Sequence, residues 1–273
     1  MRFGGPVFGW TDPHSWVAAH RDAGYSAAYF PGDVPNPAEF AAAAREADLL
    51  IAEVGIWNNP LSPDPQRRKE AVEKCKERLV LADLVGARCC VNIAGSLGER
   101  WDGPDPRDVT PEAFHAIVET VRNVIDAVKP TRAKYSIETM PYMVPDGWES
   151  SLDLVKAIDR PAFGIHFDPV NIVNSPRRFF DTGGLVREFV DKVGPHITAV
   201  HLKDIVLEPR LTVHLQEVRP GLGRFDIAAC LRAIHDGLDA DMPVLIEHLP
   251  SEEEYKEAAA HVRMVAEQAG VPL

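Results

Sequence analysis

The chain has 273 residues, 45% of them hydrophobic, enough to bury a large core. With 29 Lys and Arg against 41 Asp and Glu its formal charge is −12, which repels phosphate backbones and anionic headgroups and argues against nucleic acid or a membrane surface as partner. The four cysteines, Cys75, Cys89, Cys90 and Cys230, form no C-x-x-C pair, and the N-terminal stretch has too short an apolar run for a signal peptide, so reduced core thiols in a cytoplasmic protein are expected.

Short β-like runs alternate with helical periodicity from end to end, without a low-complexity linker. In chain order the runs lie near Phe3 to Phe8, Ser26 to Phe30, Leu50 to Trp57, Arg88 to Ile93, Lys134 to Thr139, Ala162 to Asp168, Ile197 to Leu202 and Pro243 to His248. The intervening helices carry start signals, since Asp12-Pro13, Asn36-Pro37, Asp64-Pro65 and Thr110-Pro111 each set a capping side chain before a proline at the first helical position. Ser251 with Glu254 reads as a capping box for the last helix. Val72, Cys75, Leu79 and Ala82, and then Phe114, Ile117, Val118, Val121 and Ile125, recur at helical spacing and give each helix one apolar face.

Eight βα units predict an α/β fold, a single (β/α)8 barrel domain spanning 1–273, with reactive groups at the C-terminal ends of the strands. An open doubly wound sheet would place a glycine-rich turn after the first strand; here Gly4-Gly5 precedes Val7.

Four of the apolar runs end on a charged or imidazole side chain: Glu138, Asp168, His201 and Glu247. Side chains alternate across a strand, so Ser136 with Glu138, His166 with Asp168, Ala199 with His201 and Leu245 with Glu247 share faces pointing toward the barrel mouth. A buried carboxylate is costly unless compensated, and three of them with one imidazole form a donor set for a hard or borderline divalent cation. Any one of the four taken singly has a duller reading, such as a carboxylate paired with Lys203 or an arginine.

Ile137-Glu138, the turn Phe167-Asp168-Pro169-Val170-Asn171, the run Val200 to Asp204, Pro220-Gly221-Leu222-Gly223 and Leu245-Ile246-Glu247 stand in the order and strand placement of a known family. On these pieces the chain resembles the xylose isomerase-like TIM-barrel superfamily of sugar phosphate isomerases and epimerases over nearly its whole length. The resemblance implies that Glu138, Asp168, His201 and Glu247 bind a divalent metal, Mn2+ first, with Mg2+, Co2+ or Zn2+ as alternatives. The sequence departs from the ketose 3-epimerases of that family in two places: Glu138 is followed by Thr139-Met140-Pro141-Tyr142 instead of a Pro-x-Asn-Arg type segment, and Asn171 replaces a histidine. Substrate contacts are therefore expected to differ.

Such a site suits an isomerase or epimerase acting on a keto-sugar or related polyol ketone through an enediolate at the metal, with Glu138 and Glu247 as the acid/base pair. The same intermediate has a second exit, β-elimination, as in an inosose dehydratase or a subunit that cleaves 3-keto glycosides or C-glycosides. His166 would then protonate the departing group, its alternative role being to hold a ligand from behind. A non-catalytic sugar-binding barrel is a weaker alternative, and a multi-zinc nuclease is disfavoured by the charge. Asn171, Lys203, Trp57, Asn92, Tyr142 and Arg219 are candidates for substrate binding; for each, packing, capping or ion pairing is the competing role. The long segment Ile205 to Arg224 is read as a lid, and its Gly221-Leu222-Gly223 turn as a tight turn rather than a phosphate cradle. The expected partner is a small-molecule carbohydrate, with a homo-oligomer or a hetero-oligomer left open.

Overall fold

The structure, a computed structural model, describes residues 1–273. Eight parallel strands close on themselves: β1 (Arg2–Gly4), β2 (Ala27–Tyr29), β3 (Leu50–Gly55), β4 (Cys89–Asn92), β5 (Lys134–Glu138), β6 (Phe163–Phe167), β7 (Ile197–Leu202) and, last, β10 (Pro243–Ile246), which pairs with both β7 and β1. Helices α1 (Pro13–Asp22), α2 (Pro37–Glu46), α3 (Pro65–Val85), α4 (Pro111–Val128), α5 (Trp148–Ile158), α7 (Thr182–Val193), α8 (Ile227–Gly237) and α9 (Glu252–Ala269) form the outer ring, with the short α6 (Pro176–Phe179) before α7. The (β/α)8 barrel expected from the eight runs is thus the fold. No helix is long and apolar enough to cross a membrane.

The helices form where the caps and apolar stripes place them. Asp12 accepts hydrogen bonds from the backbone N–H groups of His14 and Ser15, Asp64 from Gln66 and Arg67, and Thr110 from Ala113. Asn36 precedes α2 but makes no capping bond, so there Pro37 alone sets the start. Ser251 caps α9, yet the reciprocal half of the expected box is missing because the Glu254 carboxylate is taken by Arg219, 2.7 Å away. On α4, Ile117, Val118, Val121, Val124 and Ile125 are all buried against the sheet. Each such side chain contributes roughly 1.5–3 kcal/mol on leaving water, which is ample to dock the helix.

One element is absent from the strand list read in the sequence. Directly after β7, within the segment read as a lid, the chain forms an antiparallel hairpin, β8 (Asp204–Leu207) and β9 (Leu215–Val218). Its base is tied by one carboxylate: Asp204 accepts from the backbone N–H groups of Ile205, Gly221, Gly223 and Phe225 at 2.8–3.0 Å. A side chain at position 223 would collide with that carboxylate, so the glycine is required. The Gly221-Leu222-Gly223 turn is a cradle for the protein's own anion, which leaves it no room for phosphate.

Candidate metal centre at the barrel mouth

The C-terminal ends of β5, β6, β7 and β10 carry the four residues. Glu138 closes β5, Asp168 follows β6 by one residue, His201 is the next-to-last residue of β7 and Glu247 follows β10. Parallel register brings them level, with Leu245 opposite His201 and Glu138 opposite His166. One donor atom from each of Glu138, Asp168, His201 and Glu247 lies within 4.8 Å of the others, and all four residues are buried. Glu138 Oε1 and Glu247 Oε2 stand 3.2 Å and 3.0 Å from the same atom, His201 Nδ1.

Lys203 is brought into the same cluster. Its Nζ lies 2.8 Å from Asp168 Oδ2 and 2.8 Å from Glu247 Oε1, and it donates to Asn171 Oδ1 at 3.2 Å. Asn171 braces the other side, with its Nδ2 donating to Glu138 Oε1 and to the Thr139 carbonyl, while its backbone N–H and that of Val170 hold Asp168 Oδ1. Asn171 and Lys203 therefore touch the ligand set itself.

The electrostatics are those of a site short of positive charge. Burial, helped by Glu138 and Glu247, pushes the Asp168 carboxyl up to about 7 despite Lys203. Burial works in the same direction on Glu247, but His201 and Lys203 outweigh it and hold that carboxyl well below the usual range. Burial lowers the His201 and Lys203 pKa values, yet the carboxylates around them win and raise both well above normal. Asp168 Oδ2 and Glu247 Oε1 are enclosed without a well-directed hydrogen bond. Three carboxylates and one imidazole, with donor atoms within 4.8 Å of one another, fit a divalent cation.

Beneath this layer lies a residue that the sequence reading did not single out. Glu53, on β3 and 1% exposed, places Oε2 2.7 Å from His166 Nε2 and 3.2 Å from His201 Nε2. Burial opposes its ionisation, but the two imidazoles hold its carboxyl down to about 2. The signal was a lone carboxylate inside the apolar run Leu50–Gly55. Tyr29 and His248 were missed as well: the Tyr29 ring lies 5.9 Å from that of His201, and the exposed His248 brings Nε2 3.6 Å from Glu247 Oε2 and Nδ1 3.3 Å from Glu217 on β9.

Two expected substrate contacts, Asn92 and Arg219, lie away from the cluster, and His166 makes the contacts of the second of its two expected roles. His166 stands opposite Glu138 in the register, wholly buried, with Nε2 on Glu53 and its ring 4.1 Å from that of His201. It holds Glu53, the carboxylate that also engages His201, which is the second of the two roles open to it in the sequence. Asn92 is fully buried on the helix side of β4, exchanging hydrogen bonds with Asn58 and lying against Cys75 of α3, so it fixes a loop and is out of reach of substrate. Arg219 is turned outward, its guanidinium 2.7 Å from both Glu254 and Glu257 on α9. Of the remaining candidates, Trp57 is 41% exposed with its ring 6.4 Å from that of His201, and Tyr142 packs half-buried against the loop after β4 at Gly103. All four cysteines are free and buried.

A closed (β/α)8 barrel with clustered acidic and imidazole donors at its C-terminal rim defines the class: a barrel with a candidate cation centre at its reactive end. The chain belongs to the xylose isomerase-like TIM barrel family, whose model matches residues 16–265. No curated protein matches it by sequence. Among solved structures it is similar to 3-keto-D-glucoside 4-epimerase from E. coli, at 15% identity and a TM-score of 0.72 over 97% of this chain and 99% of that one. It is also similar to the probable 3-DHS dehydratase of petrobactin synthesis from Bacillus anthracis, at 14% identity and a TM-score of 0.71 over 97% and 98%. A third is a xylose isomerase-like TIM barrel protein from Mycobacterium smegmatis in complex with magnesium, at 17% identity and a TM-score of 0.65 over 95% and 90%. At these identities the likeness is one of fold.

Proposed function

We propose that the mouth is the active site of a divalent-cation-dependent isomerase or epimerase acting on a keto-sugar or related polyol ketone. The observation that carries this reading is that Glu138 and Glu247, from strands three places apart in the barrel, both reach His201 Nδ1. Glu138, Asp168, His201 and Glu247 would hold the cation, Mn2+ by preference or Mg2+, Co2+ or Zn2+. When bound, a dication supplies Lewis acidity that makes the hydrogen beside a carbonyl easier to remove.

The protein's own groups do the rest. Glu247, held ionised by His201 and Lys203, takes the proton from the carbon next to the carbonyl. Glu138, from a strand three places round the barrel, returns one to the opposite face. Lys203 and Asn171 keep both carboxylates oriented, and Lys203 offers an ammonium to a substrate oxygen. A general base of this kind contributes about 10²- to 10⁴-fold.

Elimination from the same enediolate, the reaction class of the dehydratase named above, needs an acid beside the leaving group. The residue nominated for that task, His166, has its Nε2 engaged by Glu53 at 2.7 Å, which favours isomerisation or epimerisation. The deciding experiment incubates Mn2+-loaded protein with a panel of keto-sugars in D2O. Deuterium is expected at the carbon next to the carbonyl by NMR, and it is abolished by chelator and by Glu247→Gln. Absence of exchange across the panel refutes the proposal, and loss of water from substrate in place of exchange assigns the lyase.

A further inference from the structure

The four candidate ligands come from β5, β6, β7 and β10, which are neighbours in the barrel, so the cation centre takes up one half of the rim. The other half, at the ends of β1 to β4, faces it across the mouth and is free to hold whatever extends from the reacting sugar. In that half, between the loops after β3 and β4 and the first turns of α3, lies a cavity of about 470 Å³. Its size is that of a small-ligand site.

The lining is unusual for a surface cleft. Trp57 and Trp101 stand in it 41% and 44% exposed, whereas indoles are normally well covered by packing. Trp57 is held with φ of 53°, a left-handed conformation that L side chains avoid. The indole folds back over β3 only because residue 55 is glycine, since a side chain there would strike its Nε1. The supporting loop is fixed as well: Asn58 exchanges hydrogen bonds with Asn92, and the Asn59 side chain bridges to both the N–H and the carbonyl of Ser96, locking the two loops together. Arg67, which pairs with no carboxylate, and Lys74 add donors at the rim. Trp57 also lies 6.4 Å, ring to ring, from His201, so one indole forms the wall between this cavity and the cation centre.

Resting on the reading of the mouth as a sugar site, the geometry points to a glycoside as substrate. The reacting sugar sits at the cation centre, and the ring attached to it, a second sugar or an aryl aglycone, stacks on Trp57 and Trp101. Two flat indoles flanked by hydrogen-bonding side chains suit either ring, because both present an apolar face with polar edges.

The test is equilibrium binding to the Mn2+-loaded protein by titration calorimetry, which requires no turnover and is therefore independent of the D2O experiment. Methyl glucoside, 4-nitrophenyl glucoside and a methyl glucosyl-glucoside are compared, each in both anomers. At least one of the two-ring probes is expected to bind about tenfold more tightly than the methyl glucoside of the same anomer, and which one does so tells sugar from aryl. Trp101→Ala, on an exposed residue, is expected to erase that advantage while leaving Mn2+ affinity intact, and Trp57→Ala serves as a second check. Equal affinities for one-ring and two-ring probes, an advantage that survives both substitutions, or no binding of any probe overturns the proposal.

Discussion

Glu53 and His166 meet at 2.7 Å in the closed interior of the barrel, and the carboxylate oxygen that His166 engages is also 3.2 Å from His201 Nε2. This contact leaves Nδ1 of His201 facing Glu138 and Glu247 in the candidate cation centre. Glu53→Ala strands both rings in a dry environment. Removing one partner of a buried pair costs about 3–5 kcal/mol, and losing the group that orients a ligand costs about 10- to 100-fold in metal affinity. Urea denaturation and Mn2+ titration measure the two effects separately. An unaltered Mn2+ affinity would dismiss Glu53 as the residue that positions His201.

Lys203 supplies the ammonium between Asp168 and Glu247. Lys203→Met, similar in length and uncharged, leaves the carboxylates to repel one another, and the metal-free protein is expected to lose about 3 kcal/mol or more. Added Mn2+ should then raise Tm by more in the variant than in the wild type, because a dication replaces the missing charge. A smaller Mn2+-induced shift in the variant would show that Lys203 does not balance these carboxylates.

Asp204 gathers four backbone N–H groups at the base of the hairpin, and its side chain is buried. Asp204→Ala leaves those donors unpaired, with an expected cost of about 3 kcal/mol or more. Hydrogen exchange locates the damage: the amides of Gly221, Gly223 and Phe225 should exchange faster while those of α4 keep their protection. Uniform acceleration across the chain would mean that the turn is no separate unit.

Far from the mouth, Asp83 on α3 accepts from the backbone N–H groups of Thr131, Arg132 and Ala133 just before β5. Burial favours its neutral form, but these donors win and hold its pKa below the usual value. A depressed carboxyl stabilises the fold fully above its unfolded pKa of about 4 and loses that contribution as pH falls through the folded value. Asp83→Asn should therefore cost about 1 kcal/mol at pH 7, discounted for partial exposure, with the gap to wild type closing below about pH 4. Denaturation curves at pH 7 and pH 3 decide it, and an equal gap at both pH values would exclude the ionised form as the source.

The barrel was legible in the sequence because two physical periods alternate along it, and the clustering of Glu138, Asp168, His201 and Glu247 because polar residues at the ends of apolar strands have few other reasons to be there. Strand parity reached further than it was used. Cys89 and Val91 pack with Ala199 inside the barrel, which turns Asn92 to the helix side, a placement that alternation alone dictates. Glu53 escaped notice because the run around it is apolar on both faces and its partners, His166 and His201, are more than a hundred residues away. Arg219 could not be placed from its own segment, since the carboxylates that capture it lie on α9. The glycine turn declared its tightness but not its contents, because the anion it encloses comes from Asp204, on a strand that pattern reading had merged into a loop.

All four candidate ligands lie between residues 138 and 247, whereas the rim opposite them is furnished by loops that precede α4. In the proposed reading, the proton chemistry and the grip on the second ring draw on separate stretches of the chain, joined by Glu53, which reaches from β3 to His201. An exchange of first halves between Val128 and Lys134, at the α4–β5 junction, would therefore have to keep Glu53 while it replaces Trp57 and Trp101.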